Sequence, residues 1–156
     1  MNMLAIRTAQ AGLVDRIWNA LKEDVGPDRA RKILSEAIQT DARVAGEAFT
    51  RLAQGEPNLK HFATVLDRWQ EGGALEITDM DLTASTLSFT VRACAYARKY
   101  SEMSLDPELG AILSCARDEP FAQGYSPCLS MRRAQTFMQG LPLIHTRRRR
   151  RYAVCR

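Results

Sequence analysis

The apolar residues of this chain recur at two different periods, and the change from one to the other falls at Gly72-Gly73. A spacing of three and four residues gives a helix one apolar stripe, whereas a spacing of two gives a strand one apolar face. Upstream, Leu13, Val14, Ile17, Trp18, Leu21 and Val25 mark a first helix from about Thr8 to Val25. Gly26-Pro27 ends that helix and starts a second, since proline is tolerated at a first helical position. The second stripe runs from Ile33 and Leu34 through Val44, Phe49 and Leu52, and stops at Gly55 and Pro57. Asn58 then reads as the N-cap of a third helix carrying Leu59, Phe62, Val65, Leu66 and Trp69.

Downstream of the two glycines, Leu75 and Ile77 alternate with Glu76 and Thr78, and Leu87, Phe89 and Val91 with Ser88, Thr90 and Arg92. With a turn at Asp79 to Asp81, this pattern predicts an antiparallel hairpin with one buried face. A helix is expected from Ala95 to Met103. Asp106-Pro107 then suits the cap and first position of another, through Leu109, Ile112, Leu113 and Ala116, and Asp118-Glu119-Pro120 suits a short helical turn. Alternation returns with Leu129, Met131, Arg133, Gln135 and Phe137, and Gly140 to Pro142 can turn the chain into a last strand from Leu143 to about Tyr152. The expected class is α+β, N-terminal helices followed by an antiparallel sheet of about four strands with interspersed helices. One domain over residues 1–156 suits this length.

Composition narrows the functional classes. No run of about 18 or more apolar residues occurs, so no membrane span is expected. The opening residues Met1 to Arg7 lack the basic-then-apolar order of a secretory signal, which makes the cytoplasm the expected compartment. Cys94, Cys115, Cys128 and Cys155 form no CxxC pair, and free thiols are the default in a reducing compartment. The net charge is +4 with pI ≈ 9.1, but Arg147 to Arg151 supply five positive charges, without which the net charge is −1. The basic character is thus one local run without interleaved aromatics, and nucleic acid is not the expected partner. A solvated edge strand or a frayed tail is the expected account of that run.

The residues able to do chemistry cluster between Cys94 and Arg147. Cys115 and Asp118, three apart, can share one side of a helix as nucleophile and proton carrier, or as two metal ligands. Equally, the thiols can be small buried hydrophobes and Asp118 an N-cap. Cys94 stands where a strand meets a helix, the kind of junction at which a helix N-terminus lowers a thiol pKa. Arg133 shares a strand face with Leu129, Met131 and Phe137 and therefore needs an anion, either Asp118 or a substrate carboxylate, unless it snorkels at a sheet edge. Gln135 points the same way. Of the two histidines, His61 reads as a surface or packing residue, and His145 on the last strand can reach the pocket of Arg133 as acid, base or ligand.

Taken together, Cys94-Ala-Tyr, Leu109-Gly110, Cys115-x-x-Asp118, Phe121-Ala-x-Gly124 and Arg133-x-Gln135-Thr136-x-Met138-x-Gly140 resemble the L-2-amino-thiazoline-4-carboxylic acid hydrolase family. The match is strongest over residues 90–147. That family opens the ring of a sulfur-containing cyclic amidine acid to give N-carbamoyl-cysteine. The resemblance implies a hydrolase acting on a C–N bond of a small, cyclic, carboxylate-bearing substrate. Cys94, Cys115, Asp118 and His145 would be catalytic, and Arg133, Gln135 and Thr136 would bind substrate. Members commonly follow the glycine with a stretch ending Cys-Asp-Phe-Arg, where this chain has Ile144-His145-Thr146-Arg147. His145 would then take the proton role of the replaced aspartate. No cofactor is implied. The alternative is a non-catalytic module of the same fold that binds a small ligand, or a metal through Cys94, Cys115, Asp118 and His145, with zinc the natural candidate.

Overall fold

The computed structural model describes residues 2–133, 136–139 and 148–154. The change of hydrophobic period becomes a change of layer. Helix α1 (Met3–Val25) opens at Asn2, whose side chain accepts from the Ala5 N–H at 3.0 Å. It passes into α2 (Pro27–Thr50) through Gly26, whose φ of 81° only glycine adopts without strain, with Pro27 at the first helical position. Asn58 caps the next helix as expected, accepting from the His61 N–H at 2.9 Å. That helix is broken at Thr64 into α3 (Leu59–Ala63) and α4 (Val65–Gln70).

The sheet has the order β1-β2-β4-β3, with every neighbouring pair antiparallel. Strand β1 (Leu75–Leu82) runs past the turn expected at Asp79 to Asp81. Instead, the register shifts between Thr78 and Asp81, and Asp79 takes a φ of 52°, which an aspartate tolerates at a bulge. The chain reverses at Thr83 to Ser85, where the Thr83 N–H donates to the Thr86 carbonyl at 2.8 Å. Strand β2 (Thr86–Cys94), interior to the sheet, buries Ser88 and Thr90 as well as Leu87, Phe89 and Val91.

Helices α5 (Ala95–Glu102), α6 (Pro107–Leu113) and α7 (Asp118–Tyr125) separate β2 from β3 (Leu129–Arg133). Asp106 caps α6 as expected, accepting from the Glu108 N–H at 2.9 Å. A 3-10 turn, Cys115–Arg117, leads directly into α7. Phe137 belongs to another 3-10 turn, Phe137–Gln139, and not to β3. The last strand, β4, is Arg148–Val154, and the expected strand start at Leu143 lies outside the described residues. Strand β4 corrects the sequence reading of the arginine run as an edge or a tail: it lies between β2 and β3, and β1 and β3 form the edges. Alternation sends Arg150 and Tyr152 inward while Arg151 is exposed.

Two apolar clusters carry the packing. One gathers Phe62, Leu87, Phe89 and Tyr152 from the sheet and the short helices, and the other joins Trp18, Leu34, Tyr100 and Leu109 from α1, α2, α5 and α6. Each such side chain contributes about 1.5–3 kcal/mol on burial. Helices α2 and α7 meet backbone to backbone, since a Cβ on Gly46 would run into the Phe121 carbonyl and one on Gly124 into the Arg43 carbonyl. That contact fixes the start of α7 against α2. No helix among the described residues is long and apolar enough to cross a membrane.

Candidate active site

Arg133 on β3 and Arg150 on β4 are cross-strand partners. Like charges opposite one another repel, so the pair requires an anion. Asp118, in the first turn of α7, supplies it: Arg133 Nη1 lies 2.6 Å and Arg150 Nη1 2.8 Å from Asp118 Oδ2. The Arg133 Nη2 also donates to the Cys115 carbonyl at 2.7 Å. The carboxylate is only 13% exposed and stands in the first turn of α7. Burial works against the Arg150 charge, but Asp118 and the neighbouring phenol and thiols more than offset this, and its pKa is raised.

Both candidate thiols lie near this ion triad. Cys115 is buried at the head of the 3-10 turn, with its thiol hydrogen-bonded to the Thr136 side chain. Burial pushes its pKa up, and the Asp118 charge adds to the effect. Cys94 ends β2 and precedes α5. Its pKa is also raised by burial, although the N–H groups of Ala97 and Tyr96 act the other way. The expected lowering at a helix start is therefore corrected. Desolvation outweighs the few N–H groups of one short helix.

A cavity of about 720 Å³ opens beside the triad. Cys94, Asp118 and Arg150 stand on its wall, together with Arg7, Arg117 and Tyr96. Phe49, Leu52, Val65 and Trp69 give another part of the wall an apolar surface. Cys115 and Arg133 do not line the cavity. They sit behind it, bonded to Thr136 and to Asp118 respectively. His61 is a packing residue as expected, stacked on Phe49 with ring centroids 4.7 Å apart and its Nδ1 3.0 Å from the Tyr125 hydroxyl.

The family model for L-2-amino-thiazoline-4-carboxylic acid hydrolase matches residues 7–143, most of the chain and most of the structure just described. The chain belongs to this family. No curated protein gives a significant match to it.

Membership in the L-2-amino-thiazoline-4-carboxylic acid hydrolase family thus reaches back over α1 and α2, well upstream of residues 90–147, where the sequence resemblance is strongest. Of the residues that the family resemblance implies, Cys94, Cys115, Asp118, Arg133 and Thr136 come together around the triad. Gln135 and His145 lie outside the described residues, as does the departure at Ile144-His145-Thr146. Among the described residues, no three His, Cys, Asp or Glu side chains gather closely enough to hold a metal ion.

Sequence reasoning missed three arginines. Arg150 was hidden in the arginine run, although strand alternation with the apolar Tyr152 marks it as inward-facing. Arg117 stands directly before Asp118 and was legible only as a neighbour. Arg7, on α1, carries no local signal of its role, because its partners Asp41 and Arg117 are remote in sequence.

Proposed function

We propose that this chain hydrolyses a small, carboxylate-bearing cyclic amidine of the 2-amino-thiazoline-4-carboxylate type in the cavity beside Cys94 and Asp118. The observation that carries the reading is the presence of a thiol, a carboxylate and several guanidinium groups on one cavity wall in a member of this hydrolase family. A cytoplasmic setting, reducing enough to keep Cys94 and Cys115 unbridged, suits it.

Atom balance alters the bond expected to break. In N-carbamoyl-cysteine, the former amidine carbon keeps both nitrogens and gains an oxygen, so ring opening to that product cleaves the C–S bond and not a C–N bond. Asp118 pairs with the protonated amidine and makes its carbon electrophilic. Water then attacks that carbon and passes a proton to Asp118. Burial holds Cys94 in the thiol form, suited to giving a proton to the departing ring sulfur. As the carbonyl forms, the hydroxyl proton returns to Cys94. The proton on Asp118, equivalent to the one the amidinium carried in, leaves to solvent. Arg133 and Arg150 hold the Asp118 carboxylate in place throughout.

Incubation with L-2-amino-thiazoline-4-carboxylate is expected to release one substrate thiol per molecule consumed, with no ammonia. Cys94→Ala is expected to lower kcat by about a hundredfold, the usual scale for a positioned acid. Absence of turnover with any cyclic amidine acid would exclude the hydrolase reading. One observation favours a binding module instead, since Asp118 is already held by two arginines. Ligand-induced thermal stabilisation without product formation is the outcome that reading expects.

A further inference from the structure

We propose that Arg7 and Arg117 form an anion-binding site on the wall of the cavity, built to receive the carboxylate of the small cyclic ligand. The two guanidiniums share one carboxylate: Arg117 Nη2 donates to Asp41 Oδ2, and Arg7 Nη1 lies 3.8 Å from the same oxygen. One positive charge of the three groups is therefore left over. Asp41 is also 63% exposed, so water screens much of what it offers. Arg117 has the opposite surroundings. Its side chain is 12% exposed, and its Nη1 is buried with no hydrogen-bond partner among the described residues.

That atom has almost no accessible surface, so it is the surplus guanidinium charge of the Arg7–Arg117 pair, rather than this N–H, that a carboxylate in the cavity would offset. The surroundings of Arg7 carry the same sign of unmet demand. Burial, and then the charge of Arg117, lower its pKa, and Asp41 only partly restores it. Both arginines line the cavity that holds Cys94 and Asp118, with Tyr96 and Tyr100 beside them. Arg133, by contrast, has Nη1 and Nη2 committed to Asp118 and the Cys115 carbonyl and does not reach the cavity. The site thus assigns the carboxylate-binding role to residues outside the sequence motif. It rests on the reading of this cavity as the ligand site.

The test is calorimetric titration of the full chain with L-thiazolidine-4-carboxylate, which has the ring and the acid but no amidine to hydrolyse, and with its methyl ester. The acid is expected to bind at least about tenfold more tightly than the ester, the loss of one charge-assisted contact being on the order of 1.4 kcal/mol or more. Arg117→Gln and Arg7→Gln are each expected to weaken binding of the acid by about tenfold and leave the ester unchanged. Asp41→Asn removes the competing carboxylate and is expected to tighten acid binding severalfold, a gain that a merely structural role would not produce. Arg7→Gln and Asp41→Asn keep the test open should Arg117→Gln not fold. Equal binding of acid and ester, no binding of either, or unchanged acid affinity in the folded variants overturns the proposal. Turnover of the amidine without discrimination between acid and ester would overturn only the anion site. Discrimination without turnover would overturn only the hydrolase reading.

Discussion

Two carboxylates in this protein each answer to two arginines, Asp118 to Arg133 and Arg150, and Asp41 to Arg7 and Arg117. The stoichiometry is the same, but the surroundings are not. Asp118 is 13% exposed and held at 2.6 and 2.8 Å, while Asp41 is 63% exposed and Arg7 stands 3.8 Å away. Attraction between charges strengthens as water is excluded, so the Asp118 triad behaves as a fixed part of the wall. The Asp41 triad divides one exposed carboxylate between two arginines and is the more receptive of the two. Burial of the shared anion, and not the number of charges, separates a firmly held carboxylate from a loosely held one.

The largest expected effect breaks the buried triad. Asp118→Ala leaves two facing guanidiniums with no shared anion and is expected to cost about 3–5 kcal/mol in urea denaturation, whereas Asp41→Asn is expected to cost less than about 1 kcal/mol. Similar losses for the two variants would abolish the distinction between the triads. A smaller effect tests what holds them at a fixed separation. Gly124→Ala would push α7, which carries Asp118, away from α2, which carries Asp41, at a cost of about 1–3 kcal/mol. Wild-type thermal stability in that variant would mean that the α2–α7 contact does not set the geometry.

The smallest effect concerns the thiols behind and within the cavity wall. Burial raises the pKa values of Cys94 and Cys115 above the ordinary thiol value of 9.0, and that of Tyr100 to about 12. The unfolded chain therefore loses these protons first. Their contribution to stability is complete below pH 9 and falls as pH rises through the folded values, with Tyr100 extending the decline towards pH 12. Denaturation midpoints measured from pH 8 upward check this. In the same range, Cys94 is expected to react with iodoacetamide more slowly than the exposed Cys128 and faster than Cys115, which does not line the cavity. Faster labelling of Cys115 than of Cys94 would place the wrong thiol on the cavity wall.

Much of the fold was legible because local rules decide it. The caps Asn58 and Asp106, the Gly26-Pro27 junction and the change of period at Gly72-Gly73 act within a few residues of themselves. The Asp79 bulge was not legible, since an aspartate pair with a methionine between suits a turn as readily as an irregular strand. The site divides in the same way. The spacing of Cys115 and Asp118, and the need of Arg133 for an anion, follow from its residue types. That Arg150 would share the anion depends on β4 entering the sheet between β2 and β3.

The sequence by itself determined the two-period plan, its family, and a set of thiols, carboxylate and arginine in the second half of the chain. Tertiary structure decided which of them reach the cavity. It turned Cys94 and Asp118 to the wall, set Cys115 and Arg133 behind it, and brought Arg7 beside Arg117 from the far end of the chain. Hydrophobic period and capping are short-range properties that a few neighbouring residues encode. Burial of a charge or a thiol, and hence its pairing and its pKa, depends on every element packed around it.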